Sequence, residues 1–342
     1  MAIHATTVDR LSFAHDAVKP WKLKFAAVAC LVLLISSAGL EILCRFAVGL
    51  GNPPLYQADA AMEYLLQPST TYYRFHKRFS VNRYSMRSDD FPPRKSSPNE
   101  FRVLVVGDSI IYGGVRIDQS DIDTEILKRD LQQQLGRPVV VGNASAKSWG
   151  PPNELAYLQR FGTLDADVVV LELSSHDYAD APTFVPVVGI SVEYPDKKPS
   201  LAAFDLFETY LLPRYLHIGV TPKGIDKTMI NMSQSEADIA MCRDAEREFF
   251  SYVRARGAKI VLVQHLSQPE LKGEYQIGYF ANQAVANQEN VPYVDDSAEL
   301  GAQLRSGENP FFSGDDLHLN RSGQVILAHT LQRAVGLTLP AH

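Results

Sequence analysis

FRVLVVGDSI, residues 101–110, is apolar for most of its length and then breaks into Gly107-Asp108-Ser109. A short apolar run bounded by turn residues reads as a strand buried on both faces. Its ending poses a choice. A glycine, a carboxylate and a hydroxyl in series either cap the next helix or set a nucleophile at the mouth of a sheet.

The residues that follow favour a sheet. Ile122, Ile126, Leu127, Leu131 and Leu135 form one apolar stripe, with Gly136 just past it, so a helix is predicted over 121–135. Further strands are predicted at 138–142 (PVVVG), 167–173 (DVVVLEL), 259–265 (KIVLVQH) and 291–294 (VPYV). Helices are predicted between and after them at 153–161, 235–256, 276–289 and 322–336. Short β-branched runs alternating with helices predict the α/β class, a five-stranded parallel sheet with helices on both faces. In such sheets chemistry gathers outside the carboxyl ends of the strands. Those ends read Gly107-Asp108-Ser109, Gly142-Asn143-Ala144-Ser145, Ser174-Ser175-His176-Asp177, His265 and Asp295-Asp296.

Composition narrows the classes. With 342 residues, 21% of them charged, and a net charge of −6, no basic field argues for a nucleic-acid partner. Cys30, Cys44 and Cys242 make neither a disulfide framework nor a metal spacing. Only Cys44 and Cys242 could pair, and no pairing is expected.

The N-terminal region reads as a membrane segment. FAAVACLVLLISSAGL, residues 25–40, carries no charge and spans about 24 Å as a helix. Arg10, Lys19, Lys22 and Lys24 precede it, whereas Arg45 is the only basic Lys or Arg after it until Arg74. This bias predicts a cytoplasmic tail at 1–24, a transmembrane anchor at 25–50 and the remainder outside. A signal peptide processed near Ser36-Ser37-Ala38 is the alternative. Residues 51–100, rich in Pro, Tyr, Arg and Ser, are expected to form an extended connector with little regular structure. The catalytic unit is expected over 101–342. It is interrupted at about 181–234 by a Pro- and aromatic-rich insertion that reads as a lid or substrate wall.

The second reactive pair lies far downstream. FFSGDDLHLNRSG, residues 311–323, places Asp315 three positions before His318. A serine hydroxyl needs a base, and the base needs a carboxylate on its far nitrogen to fix its tautomer. Asp315 and His318 could supply both locally if their loop folds over Ser109. His176, Asp177, Asp315 and His318 would also suit zinc as residue types. The serine–histidine–aspartate reading accounts for Asp315 and His318 without it, so neither metal nor cofactor is expected.

From about residue 100 to 337 the chain resembles the SGNH (GDSL-type) hydrolases, serine esterases and acyl-transfer enzymes. VLVVGDSI looks like the family's first block, NASAKSWG (143–150) like its second, LELSSHDY (171–178) like its third and DDLH (315–318) like its last. The resemblance implies a flavodoxin-like three-layer α/β/α fold and a catalytic triad of Ser109, His318 and Asp315. It also implies an oxyanion hole from the N–H groups of Ser109 and Ser148 and the side chain of His176. Ser148 stands where the family has a glycine, and His176 where it has an asparagine. Trp149 and His265 are candidates for substrate contact, with packing as the alternative for both. By the same resemblance, the expected function is a serine esterase acting on acetyl esters of a cell-surface polysaccharide. It would be held by a single pass in a bacterial inner membrane, with its catalytic domain periplasmic and polysaccharide synthesis machinery as a partner. An O-acetyltransferase using the same residues and a non-catalytic carbohydrate-binding or assembly subunit are the alternatives.

Overall fold

Val and Ile runs with no solvent-facing side form the centre of the protein. The computed structural model describes residues 19–216 and 235–339. The tail up to residue 18 and the stretch 217–234 of the expected insertion lie outside the described residues. In chain order, helix α1 (Pro20–Ile42) ends in a π-helical turn (Leu43–Val48) and leads into four short strands. These are β1 (Tyr56–Asp59), β2 (Glu63–Leu66), β3 (Thr70–Arg74) and β4 (Lys77–Val81). Next come β5 (Phe101–Gly107), α2 (Ser109–Tyr112), α3 (Asp123–Leu135), β6 (Val139–Ser145), α4 (Pro151–Phe161) and β7 (Val168–Ser174). The short helix α5 (Ala202–Leu206) runs into a second π-helical segment (Phe207–Leu216). The chain then forms α6 (Glu236–Ala255), β8 (Lys259–His265), α7 (Ile277–Gln288), β9 (Tyr293–Asp295), α8 (Ser297–Arg305) and α9 (Arg321–Gly336).

The main sheet is parallel and five-stranded, in the order β6-β5-β7-β8-β9. Numbered from β5, this is the 2-1-3-4-5 order of flavodoxin-like folds. Alternate residues of each strand feed two cores. Leu104, Val106, Leu171 and Leu262 pack with α4, α6 and α7 through Leu158, Phe249, Phe250 and Val285. Val103, Val105, Val170 and Val263 pack with α3, α8 and α9 through Leu127, Leu131, Leu300, Leu327 and Leu331. The sheet is therefore buried on both faces, as its uninterrupted apolar runs require.

The stretch 51–100 departs from the expected connector. It forms two antiparallel hairpins, β1-β2 and β3-β4. Tyr56, Tyr64, Leu65, Tyr72 and Phe79 are buried in the same core as the main sheet. Strands of four or five residues are too short for a legible alternation, and the burial of their aromatic rings is what orders them. Arg87 completes the union. Its buried guanidinium stacks on Phe79 and donates to the carbonyls of Tyr112 (2.5 Å), Gly114 (2.8 Å) and Ile117 (2.7 Å). It thereby fixes the loop that follows Ser109. Helix α8 was also not foreseen, since Ser297–Arg305 is short and carries Gly301 in its middle.

α1 is long and apolar enough to cross a membrane, with a mean hydropathy of 2.3 over its best window and no buried residue in Pro20–Ile42. All three cysteines are free thiols.

Candidate active site

The carboxyl end of β5 is shaped by what lies beside it. A methyl group on Gly107 would sit 2.8 Å from Glu172 Oε2 and 2.8 Å from the Ile111 side chain, so any larger residue would force these neighbours aside. Asp108 then caps the one-turn helix α2, its Oδ1 accepting from the Ile110 N–H at 2.7 Å. This cap leaves Ser109 at the first helical position, at the mouth of the sheet.

Ser109 Oγ lies 3.0 Å from His318 Nε2, and His318 Nδ1 lies 2.9 Å from Asp315 Oδ2. An ionised carboxylate only accepts, so the imidazole hydrogen belongs on Nδ1, which leaves Nε2 free to accept from the serine hydroxyl. Asp315 Oδ1 also accepts the N–H groups of Leu317 and His318, both at 2.9 Å. Partial burial opposes the charge on Asp315, but these N–H groups and the His318 ring hold its carboxyl below the usual range. The loop itself is pinned by an antiparallel bridge between Phe311 and Leu319. The structure thus brings together Ser109 with Asp315 and His318, which were singled out from two distant places in the sequence.

Ser148 and His176 line the same cleft of about 700 Å³ as Ser109 and His318. Ser148 has a φ of +51°, in the left-handed region where glycine is the residue free of strain. The backbone geometry of a glycine position therefore persists under a serine side chain. His176 follows β7 in a 3-10 turn, with Nε2 3.3 Å from Asp108 Oδ2 and 3.4 Å from Asp177 Oδ1. Desolvation works against a charged ring, but Asp177 and Asp108 outweigh it and push the His176 pKa up to about 10. At neutral pH the ring is therefore an imidazolium. The donor atoms of Asp108, His176 and Asp177 all lie within 4.8 Å of one another, a spacing that a metal ion could bridge in place of the proton. Asp315 and His318, grouped with His176 and Asp177 on residue type alone, bind each other instead.

Two carboxyls behind the cleft escaped the sequence reading. Glu154 and Glu172 are fully buried, and neither oxygen of either group finds a hydrogen-bond partner among the described residues. Burial, with repulsion from Asp108 and Asp177, raises both pKa values well above the usual range. The available signal was a glutamate inside the otherwise apolar run DVVVLEL.

The two candidate substrate contacts are corrected. Trp149 is 1% exposed, donates from Nε1 to the Tyr64 carbonyl at 3.3 Å and packs against Tyr157, so it presents no face to a sugar. His265 is fully buried at the end of β8. Its Nδ1 lies 2.5 Å from Asp296 Oδ2 and its Nε2 lies 2.9 Å from the Leu317 carbonyl. Both nitrogens face acceptors, so both carry hydrogens, and Asp296 holds the charge against the cost of burial. His265 thus grips the residue next to His318 from beneath. From the insertion, Val192, Glu193, Tyr194, Thr209 and Tyr210 line the cleft.

No protein-family model matches the chain, and no curated protein matches its sequence. Several solved structures are similar in shape. A two-domain esterase active on acetylated mannans, crystallised with mannopentaose, is 12% identical with a TM-score of 0.45. The match covers 71% of this chain and 52% of that one, so this chain spans about half its length. A mutant acetyl-xylooligosaccharide esterase from Geobacillus is 14% identical with a TM-score of 0.43, over 69% of this chain and 94% of that one. TesA is 19% identical with a TM-score of 0.44, over 70% of this chain and 99% of that one.

Proposed function

We propose that the chain is an SGNH-type serine esterase acting on acetyl esters of a cell-surface polysaccharide or related carbohydrate. The observation that carries this reading is the continuous chain from Ser109 Oγ through His318 to Asp315, with contacts of 3.0 and 2.9 Å at the carboxyl end of a parallel sheet. A cleft of about 700 Å³ lined by Tyr56, Tyr194, Tyr210, Lys147 and Arg116 suits a polar, ring-bearing substrate.

In this reading Ser109 Oγ attacks the ester carbonyl as its proton passes to His318 Nε2. Asp315 holds the resulting imidazolium in place. Negative charge then develops on the former carbonyl oxygen, facing the N–H groups of Ser109 and Ser148 and the cationic ring of His176. Losing one such donor typically costs about 2.7–4 kcal/mol of transition-state stabilisation. A charged donor binds an oxyanion more strongly than the neutral amide it replaces. Collapse of the intermediate expels the sugar hydroxyl, which takes the proton from His318 and leaves acetyl-Ser109. Water, deprotonated by the same histidine, then releases acetate and restores the serine. We read α1 as an uncleaved inner-membrane anchor, with the catalytic part in the periplasm beside polysaccharide synthesis.

The test is acetate release from p-nitrophenyl acetate and acetylated xylo-oligosaccharides by the full chain in detergent. Ser109→Ala should lose about 10⁴-fold or more. Wild-type activity no higher than that of the variant would sink the esterase reading. Acetate that moves onto an added glycan, rather than into water, would replace it with acetyl transfer.

A further inference from the structure

The end of α1 packs against segments that wall the cleft. Glu41, where the uncharged span stops, accepts the Ala203 N–H at 3.0 Å and pairs with Arg45. Cys44, Leu50 and Ala202 bury one another just beyond it. The Gly49 carbonyl accepts from the Phe75 N–H at 2.9 Å, and Asp205 accepts from the Gly51 N–H at 2.8 Å while pairing with buried Arg74. No loose linker separates helix from domain. Pro53, Pro54, Arg74, Thr209 and Tyr210, all drawn from these same segments, line the cleft that holds Ser109 and His318.

Around this junction, aromatic side chains face outward. Phe46 is 71% exposed, Phe204 52%, Phe207 43% and Tyr215 68%. Scattered apolar residues are ordinary on a surface, but aromatics gathered at the end of a membrane-length helix match the belt found at a bilayer interface. Lys77, which opens β4 just after the turn bonded to Ala47 and Gly49, and Arg214, next to Tyr215, add cations for lipid phosphates to pair with.

We propose that the end of α1, the β3-β4 turn and the helical segment 202–216 form a seat on the outer leaflet of the lipid bilayer. This seat holds the cleft at the membrane surface, where it favours esters presented there. The inference rests on α1 being an uncleaved anchor, and it adds a second, lateral contact to that anchor. It also defines the substrate class as an acetylated glycan still attached to, or emerging at, the membrane.

The experiment uses the full chain in vesicles of brominated phosphatidylcholine. The protein has two tryptophans, Trp21 in α1 and buried Trp149, so Trp21→Phe leaves one sheltered reporter. Phe207→Trp is then added, or Phe280→Trp as a control on α7, a side chain that is 55% exposed. The seat predicts that bromine quenches most of the added emission at 207 and little at 280. Equal, weak quenching at both positions in protein that still floats with the vesicles overturns the seat and leaves the anchor intact. Protein that fails to float overturns both. Hydrolysis of p-nitrophenyl acetate in the same samples reports separately on the esterase reading. In a second arm, Phe204→Asp with Phe207→Asp should slow hydrolysis of a vesicle-embedded acetylated alkyl glucoside about tenfold, with water-soluble p-nitrophenyl acetate changed less than about twofold. Equal loss on both substrates counts against the seat.

Discussion

His265 supports the loop of the proposed triad without touching Ser109. Its ring joins Asp296 to the Leu317 carbonyl, so the loop that carries Asp315 and His318 is held from below by a buried ion pair. Replacing His265 with phenylalanine would leave Asp296 buried and unpaired, which costs about 3–5 kcal/mol. It would also release the loop. The double variant His265→Phe, Asp296→Leu removes the stranded charge, so urea unfolding should show most of the stability restored. The fall in kcat, expected at about 10–100-fold with KM little changed, should persist because Leu317 still lacks its donor. If rate recovers together with stability, His265 is only a packing residue. The contrast with Ser109, Asp315 and His318 is instructive about legibility. Those residues could be read from the sequence because each sits in a local pattern, a strand end or an i, i+3 pair on one loop. The charge on His176 and the burial of His265 depend on Asp108 and Asp296, which only the folded sheet brings near.

At the level of elements, β5 and β7 were legible because long β-branched runs have few other uses. The hairpins were not, because their short strands owe their order to tertiary burial of Tyr56, Tyr64 and Phe79. Gly107 shows how two strands constrain each other. Its backbone is not left-handed, so the glycine answers to space and not to φ. Gly107→Ala should therefore cost about 1–3 kcal/mol in urea unfolding, by forcing the Glu172 carboxyl and Ile111 aside. Adding Glu172→Ala should recover part of that loss. No recovery would show that Ile111 alone sets the constraint. Ser148 was legible only as a departure from a glycine, and its φ of +51° shows why a glycine would be at ease there.

Across the whole molecule, buried acids set the response to pH. Burial raises Asp123 to a pKa of about 7 and Glu246 to about 8, and Glu154 and Glu172 are also held well above the usual range. In the unfolded chain such groups lose their protons near pH 4, whereas in the folded protein they keep them. The folded state therefore binds more protons, and stability falls as pH rises from about 4.5 to about 8. His176, raised to about 10, extends the decline above the ordinary histidine range near pH 6.5. Carboxyls held low, such as Asp118 and Asp205, act in the opposite direction but only below about pH 4. The apparent melting temperature should peak near pH 5 and drop steadily toward pH 9, and Asp123→Asn with Glu246→Gln should flatten the curve. A melting temperature that climbs over this range would refute the assignment.

The wide separation of Ser109 from His318, 209 positions along the chain, also bears on biosynthesis. The nucleophile turn leaves the ribosome long before its base has been translated. Helix α9, which follows the base directly, docks onto the first part of the fold, with Gln324 accepting from the Asp123 N–H at 2.9 Å. On the proposed function, nascent protein would carry an inert serine until the last segment of the fold delivers His318.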